Sequence, residues 1–229
     1  MANVLVACEE SQEVCKAFRK MGHNAFSCDI LEPSGGHPEW HIKGDVLEVL
    51  KGGCFYTTDL AGELGATYHY VTEWDLIIAF PPCTFLTCTG NRWFDITRYG
   101  EKAVQRHIDR NKAIDFFMEL VNADCAKIAI ENPIGVMSTY YRKPDQIIHP
   151  YFFGHPERKS TCLWLKGLPI LRSTDVVEPY IIQYKNGKGT DSYWHVSTMN
   201  KPKAERSRLR SKTFSGVASA MAEQWGCLL

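Results

Sequence analysis

The sequence predicts an α/β domain whose sheet is largely parallel, and three observations carry that expectation. Short, nearly continuous apolar runs, VLVAC at 4–8, LIIAF at 76–80 and KIAI at 127–130, have the character of strands buried on both faces. Segments with helical spacing alternate with them, as βαβ units require. Each run stops abruptly at polar or prolyl residues, which places Glu9, Asp29, Cys83 and Glu131 at strand carboxyl ends, where open α/β sheets bind ligands.

Taken in order, Val4–Cys8 is the first strand, and Val14, Ala17, Phe18 and Met21 recur at helical spacing until Gly22. Ala25–Cys28 is a second strand ending at Asp29, and HIKGDVLEVL offers a third ahead of Asp45. Residues 52–74 show no clear period and are expected to form a connection with little regular structure. LIIAF is a fully buried strand that Pro81-Pro82 terminates, because proline cannot continue a central strand. Val104, Ile108, Ile114, Phe117, Met118 and Val121 are expected on one face of a long helix, followed by the strand Lys127–Ile130. TCLWL at 161–165 is a late strand, a basic insertion spans about 167–213, and a closing amphipathic helix runs over about 215–225. No internal repeat or low-complexity stretch interrupts this, and 1–229 is expected to be a single domain.

Composition narrows the function classes. A chain of 229 residues with 45% apolar content buries roughly 70–75% of its unfolded surface, so neither disulfides nor a metal is needed to hold it. Its 26 basic and 26 acidic residues cancel, so any polyanionic partner must be met by a local patch. Nine cysteines, an odd number without a CxxC pair, indicate a reducing compartment rather than a disulfide framework. Cys28, His37, His41 and Cys54 match no common zinc spacing. The start MANVLVACEES lacks a basic region before a long apolar stretch, and no apolar run approaches the roughly 18 residues of a membrane span. The expectation is a soluble, cytoplasmic protein with no metal and no membrane partner.

Cys83 follows two prolines that fix its backbone at a strand end, which suits a nucleophile. Glu131 stands at the end of another apolar strand, ahead of Asn132-Pro133. Singly, a buried cysteine behind a turn and a solvated loop glutamate are equally good descriptions. Together they suggest a thiol and an acid in one crevice.

AFPPCTFLT and IAIENPIG, in this order, resemble the catalytic motifs of the cytosine-C5 DNA methyltransferase family. VLVACEESQEV stands where that family has its donor-binding turn, Asp29 is similar to its ribose-binding acid, and Gly44-Asp45-Val46 resembles the segment facing the donor's adenine. FGHPERKSTCLWLKG is similar to the motif carrying a cationic contact to the target base, and TFSGVASAMAEQWG to the closing helix. The resemblance covers most of the chain except about 47–73 and the basic segment. It implies a Rossmann-like S-adenosylmethionine-dependent methyltransferase fold, S-adenosyl-L-methionine as donor, and DNA as partner.

The resemblance assigns catalysis to Cys83, adding to cytosine C6, and to Glu131, bonding N3, with Arg158 ahead of Lys159 as the cationic contact. It assigns the donor to Cys8, Glu9, Glu10, Ser11, Asp29, Ile30, Asp45, Val46, Pro81 and Ser215. Addition to C6 is what makes C5 nucleophilic enough to take a methyl group, and the base must be flipped out of the helix to be reached. A mobile loop after the cysteine, carrying Thr84, Asn91, Arg92 and Trp93, is expected to close behind it. Lys185, Lys188, Lys201, Lys203, Arg206, Arg208, Arg210 and Lys212, opposed by Asp191 and Glu205, leave an excess of six positive charges among Tyr184, Tyr193 and Trp194. Cations for phosphates interleaved with aromatics for bases suit a small DNA-binding flap.

Three departures from the family stand out. The donor turn Cys8-Glu9-Glu10-Ser11-Gln12 has no glycine, ENP replaces the more usual ENV, and only about 45 residues stand where a sizeable target-recognition region is usual. The short recognition region implies limited sequence readout and suits a phage gene. Two alternatives stay open: transfer of a different group to C5 from a modified donor, and a non-catalytic DNA-binding relative.

Overall fold

The computed structural model describes residues 1–58, 65–184 and 189–229. In chain order the elements are β1 (Asn3–Ala7), α1 (Glu13–Lys20), β2 (Asn24–Asp29), β3 (His41–Lys43), α2 (Val46–Val49), β4 (Gly53–Thr58), β5 (Ala66–Val71) and β6 (Leu76–Ala79). There follow α3 (Ile96–Tyr99), α4 (Glu101–Val121), β7 (Ile128–Pro133), α5 (Met137–Tyr140), β8 (Gln146–Ile148) and β9 (Thr161–Lys166). The chain closes with β10 (Ile181–Gln183), β11 (Thr190–Ser192), α6 (Tyr193–Thr198), α7 (Lys203–Ser211) and α8 (Ser215–Gly226).

Seven strands form one sheet in the order β3-β2-β1-β6-β7-β9-β8. The pairings from β3 across to β7 are parallel, and β9 runs antiparallel to both β7 and β8. Chain order reverses between β1 and β6, so their carboxyl ends splay apart and leave a crevice at the switch point. This is a Rossmann-like, doubly wound α/β arrangement with one antiparallel strand inserted near its edge.

Both sheet faces are covered, which is why the central strands read as unbroken apolar runs. Leu5, Phe26, Ile77 and Ile130 pack with Phe117 and Leu120 of α4 on one face. Val4, Val6, Ile78 and Ala129 pack with Phe18 of α1 and Met221 and Trp225 of α8 on the other. Each fully buried large side chain contributes about 1.5–3 kcal/mol, so this double layer dominates the stability of the frame around the crevice.

Two expectations are corrected. Residues 53–58 and 66–71 form an antiparallel hairpin instead of an irregular connection, although 59–64 lie outside the described residues. Phe55 and His69 face inward onto Phe26, while Tyr56, Tyr68 and Tyr70 on the outer face stay exposed. Aromatic residues on both faces erase the alternation that would reveal a strand. In α4, Phe117 is buried as expected and Leu120 is buried beside it, but Val104 and Ile108 are 44% and 45% exposed. The first turns of that helix pack against the 3-10 segment Cys88–Phe94 and α3, beyond the sheet.

Candidate active site

The turn after β1 forms without glycine. Cys8 and Gln12 both adopt φ 59°, a left-handed conformation that costs a residue with a side chain about 1 kcal/mol each. Buried side chains hold it there. Glu9 turns its carboxylate onto the start of α1, accepting hydrogen bonds from Val14 N–H (2.7 Å) and Cys15 N–H (3.1 Å). Burial pushes the Glu9 carboxyl up to about 7, against the downward pull of those two bonds. The Gln12 side chain donates to His37 O (2.8 Å) and accepts from His37 N–H (3.1 Å), while Ser34 N–H donates to Glu10 O (2.8 Å). These bonds press the 30–37 loop onto the turn. Gly35 is required there, since a Cβ would come within 2.5 Å of Gln12 Cβ.

A cavity of about 920 Å³ opens over this turn and runs along the strand ends to Cys83 and Glu131. Cys8, Glu9, Glu10, Ser11, Asp29, Ile30, Asp45, Val46 and Pro81 all contribute to its wall. Asp29 accepts a hydrogen bond from Leu31 N–H (2.9 Å), and Asp45 caps α2 by accepting from Leu47 N–H (3.0 Å). Ile30 is 73% exposed and offers the cavity an apolar surface. Glu10 is 8% exposed, and its Oε1 is buried without a partner among the described residues. Burial drives the Cys8 thiol far above its ordinary range, which makes it a poor nucleophile.

Adjacent strands β6 and β7 bring Cys83 and Glu131 into the same cavity. Asn132, buried beside Glu131, donates from Nδ2 to Pro81 O (2.8 Å), tying the end of β7 to the Pro-Pro-Cys turn. Cys83 O accepts from both Leu86 N–H and Thr87 N–H at 3.0 Å, which fixes the far side of that turn. Burial and the Glu131 carboxylate raise the Cys83 thiol, while Lys159 pulls it down. Burial likewise raises the Glu131 carboxyl, opposed by Lys159 and Thr161. Such a carboxyl holds a proton at higher pH than a surface glutamate and can lend it to a bound base.

Lys159, rather than Arg158, is the cation at this acid. Its Nζ lies 4.0 Å from Glu131 Oε1, donates to Arg210 O (3.3 Å) and sits 5.5 Å from the Trp194 ring centre. Arg158 turns the other way and donates to Thr190 Oγ1 (3.3 Å). Ser215 also lies outside the cavity wall: its hydroxyl pairs with His155 Nε2 (3.2 Å), and Thr213 takes the place beside the cavity.

Thr84 lines the cavity next to Cys83, but the loop that follows is fastened down rather than free. Asn91, Arg92 and Trp93 lie in the 3-10 segment Cys88–Phe94. Arg110 donates to Phe85 O (2.9 Å) and Asn91 Oδ1 (2.8 Å), with its guanidinium 3.3 Å from the Phe94 ring centre. Arg92 covers the face of Trp93 at 4.6 Å.

The basic segment folds over the cavity. Ala204, Ser207, Arg208, Arg210 and Ser211, from α7, belong to its wall. Arg210 donates to Thr198 Oγ1 (2.8 Å) and His195 O (3.1 Å), and Arg206 to Met199 O (2.9 Å), so both pin α7 to α6. The Arg208 guanidinium has no partner among the described residues. Tyr193 is half exposed, and Trp194 stands between Lys159 and Arg210. Lys185 and Lys188 lie outside the described residues. The cavity is therefore bipolar, acidic at Glu10, Asp29, Glu32 and Asp45 and cationic at Lys159, Arg208 and Arg210. Sequence reasoning gave no role to Thr161 or Gln12, which support Glu131 and the first turn.

Among the described residues no group of three or more His, Cys, Asp or Glu is placed to hold a metal ion, and no helix is long and apolar enough to cross a membrane. No protein-family model matches the chain, and no curated protein matches it in sequence. Among solved structures it is similar to a prophage-encoded E. coli protein described as a DNA modification methyltransferase, with a TM-score of 0.46 and 16% identity. That overlay covers 78% of this chain and 52% of the other, so the chain spans about half the length of that protein.

Proposed function

We propose that the chain is a DNA cytosine-C5 methyltransferase with limited sequence readout, acting on a cytosine flipped into the cavity beside Cys83. The observation that carries the reading is the convergence of the Cys83 thiol, the partly buried Glu131 carboxyl and Lys159 at one end of the cavity. The other end fits a nucleoside: Asp29 offers a carboxylate to ribose hydroxyls, and Ile30 and Val46 offer apolar surface to a purine.

Cys83 loses its proton to solvent and its thiolate attacks C6 of the cytosine. Glu131 in its protonated form donates to N3, so the electron pair displaced from the C5–C6 bond is stabilised and C5 becomes nucleophilic. S-Adenosyl-L-methionine, when bound, supplies the methyl group that C5 takes and leaves as S-adenosylhomocysteine. Water then removes the C5 proton, the C6–S bond breaks, and Cys83 departs as thiolate. Lys159 holds Glu131 in place and balances the negative charge that appears when its proton is shared. Helix α7 covers the cavity and limits the access of water, and Arg208 meets a backbone phosphate of the flipped nucleotide.

The test is product analysis. DNA incubated with the protein and S-adenosylmethionine is digested to nucleosides and read by mass spectrometry. 5-Methyldeoxycytidine is expected. Methylation at an exocyclic amine, or no change to DNA of varied sequence, overturns the reading. A larger mass increment at cytosine C5 identifies a different transferred group.

A further inference from the structure

We propose that the turn after β1 receives its ligand through a positively charged ammonium group, with Glu10 as the counter-ion, instead of through an anionic group. The proposal rests on the donor reading above and specifies which end of the donor this turn recognises.

A strand–turn–helix unit at a switch point ordinarily greets an anion, because the first backbone N–H groups of the helix are unpaired and carry its positive dipole. Here two of those groups are already taken. The Glu9 carboxylate takes Val14 N–H and Cys15 N–H, so the start of α1 is met by the chain's own acid. Three lysines of this region are also engaged: Lys16 and Lys212 both pair with Glu13 at 2.9 and 3.2 Å, and Lys43 pairs with Glu32. The Gln12 amide, which could serve a carboxylate, donates to His37 O and Ser27 Oγ.

Glu10 is the reverse case. It is more than nine-tenths buried, it contributes to the cavity wall, and its Oε1 is a buried acceptor with no donor among the described residues. A buried carboxylate oxygen without a donor is costly, and a ligand N–H group removes that cost. Asp29 and Asp45 on the same stretch of wall add negative potential. An ammonium satisfies all of these features. A carboxylate at the same place meets the like charge of Glu10, Asp29 and Asp45.

Three nucleosides separate the two ends of the donor. S-Adenosylhomocysteine carries ammonium and carboxylate, 5′-deoxy-5′-(3-aminopropylthio)adenosine only the ammonium, and 5′-methylthioadenosine neither. Calorimetric titration of each into the wild-type protein and into Glu10→Gln is the experiment. The first two are expected to bind the wild type within about threefold of each other and at least about tenfold more tightly than the third, the scale of one charge-assisted hydrogen bond. In Glu10→Gln that advantage should disappear, with methylthioadenosine affinity and melting temperature unchanged. Tight binding that depends on the carboxylate, or an unaltered ranking in Glu10→Gln, overturns the Glu10 assignment alone. Absence of binding by all three to the wild type overturns the donor reading and this proposal with it.

Discussion

Replacing Glu9 tests its role as the cap of α1. In Glu9→Ala the N–H groups of Val14 and Cys15 lose their acceptor in a buried setting. An unsatisfied buried donor costs about 1–3 kcal/mol, and relief of the desolvated carboxylate offsets part of the sum, so the expected loss is about 2–4 kcal/mol. For a chain of this length that corresponds to a fall of roughly 5–15 °C in melting temperature. Glu9→Gln keeps one acceptor oxygen and should lose less. The pH dependence has a definite sign. With its carboxyl raised from 4.5 to about 7, folded Glu9 holds its proton more tightly than the unfolded chain does. Its contribution is therefore complete below about pH 4.5 and is lost as pH rises to about 7. Melting temperatures of wild type, Glu9→Gln and Glu9→Ala between pH 5 and 8.5 read both effects. The difference between wild type and Glu9→Gln should shift toward the variant as pH rises. A Glu9→Ala protein melting within about 1 °C of wild type would refute the capping account.

Further outcomes follow from the cavity's other end. Lys159→Met should cut turnover at least about tenfold and move the pH–rate profile to higher pH, because Lys159 holds both Glu131 and Cys83 down; Arg158→Met should leave the profile in place. Single-turnover rates against pH distinguish the two. Asn132→Ala cuts the tie to Pro81 O and should lower kcat by about ten- to a hundredfold, the scale expected of a 1 Å misplacement, with donor affinity unchanged in titration. Cys8→Gly relieves a left-handed non-glycine residue but frees the unfolded chain, so its melting temperature should stay within a few degrees of wild type; a collapse would show that the thiol's packing, rather than the backbone, sets this turn.

The frame of the site could be read from sequence because β1, β6 and β7 are buried on both faces, and continuous apolar runs are what two-sided burial selects. The same rule failed at the β4–β5 hairpin, where exposed Tyr56, Tyr68 and Tyr70 imitate inward residues. Adjacent like residues were the second difficulty. Glu9 and Glu10 are indistinguishable as letters, yet one caps α1 and the other faces the cavity with an oxygen that has no partner among the described residues. Arg158 and Lys159 posed the same problem. The missed signal was parity: Lys159 stands two residues before Thr161, at the start of β9, and alternate residues of extended chain share a face. The basic segment announced its charge but not its destination, since the lining of the cavity by α7 depends on bonds from Arg206 and Arg210 to α6. Ser215 was displaced by His155, a contact across 60 residues that no local pattern encodes.

The central claim is that Cys83 bonds covalently to cytosine C6 during transfer to C5. DNA containing 5-fluorocytosine tests it most directly, because fluorine at C5 blocks the final elimination and leaves the adduct in place. Denaturing electrophoresis after incubation with S-adenosylmethionine should show a protein–DNA band that is absent without donor and absent in Cys83→Ala. A wild-type protein that binds this DNA and the donor yet forms no such band, or a band that survives in Cys83→Ala, would contradict the account.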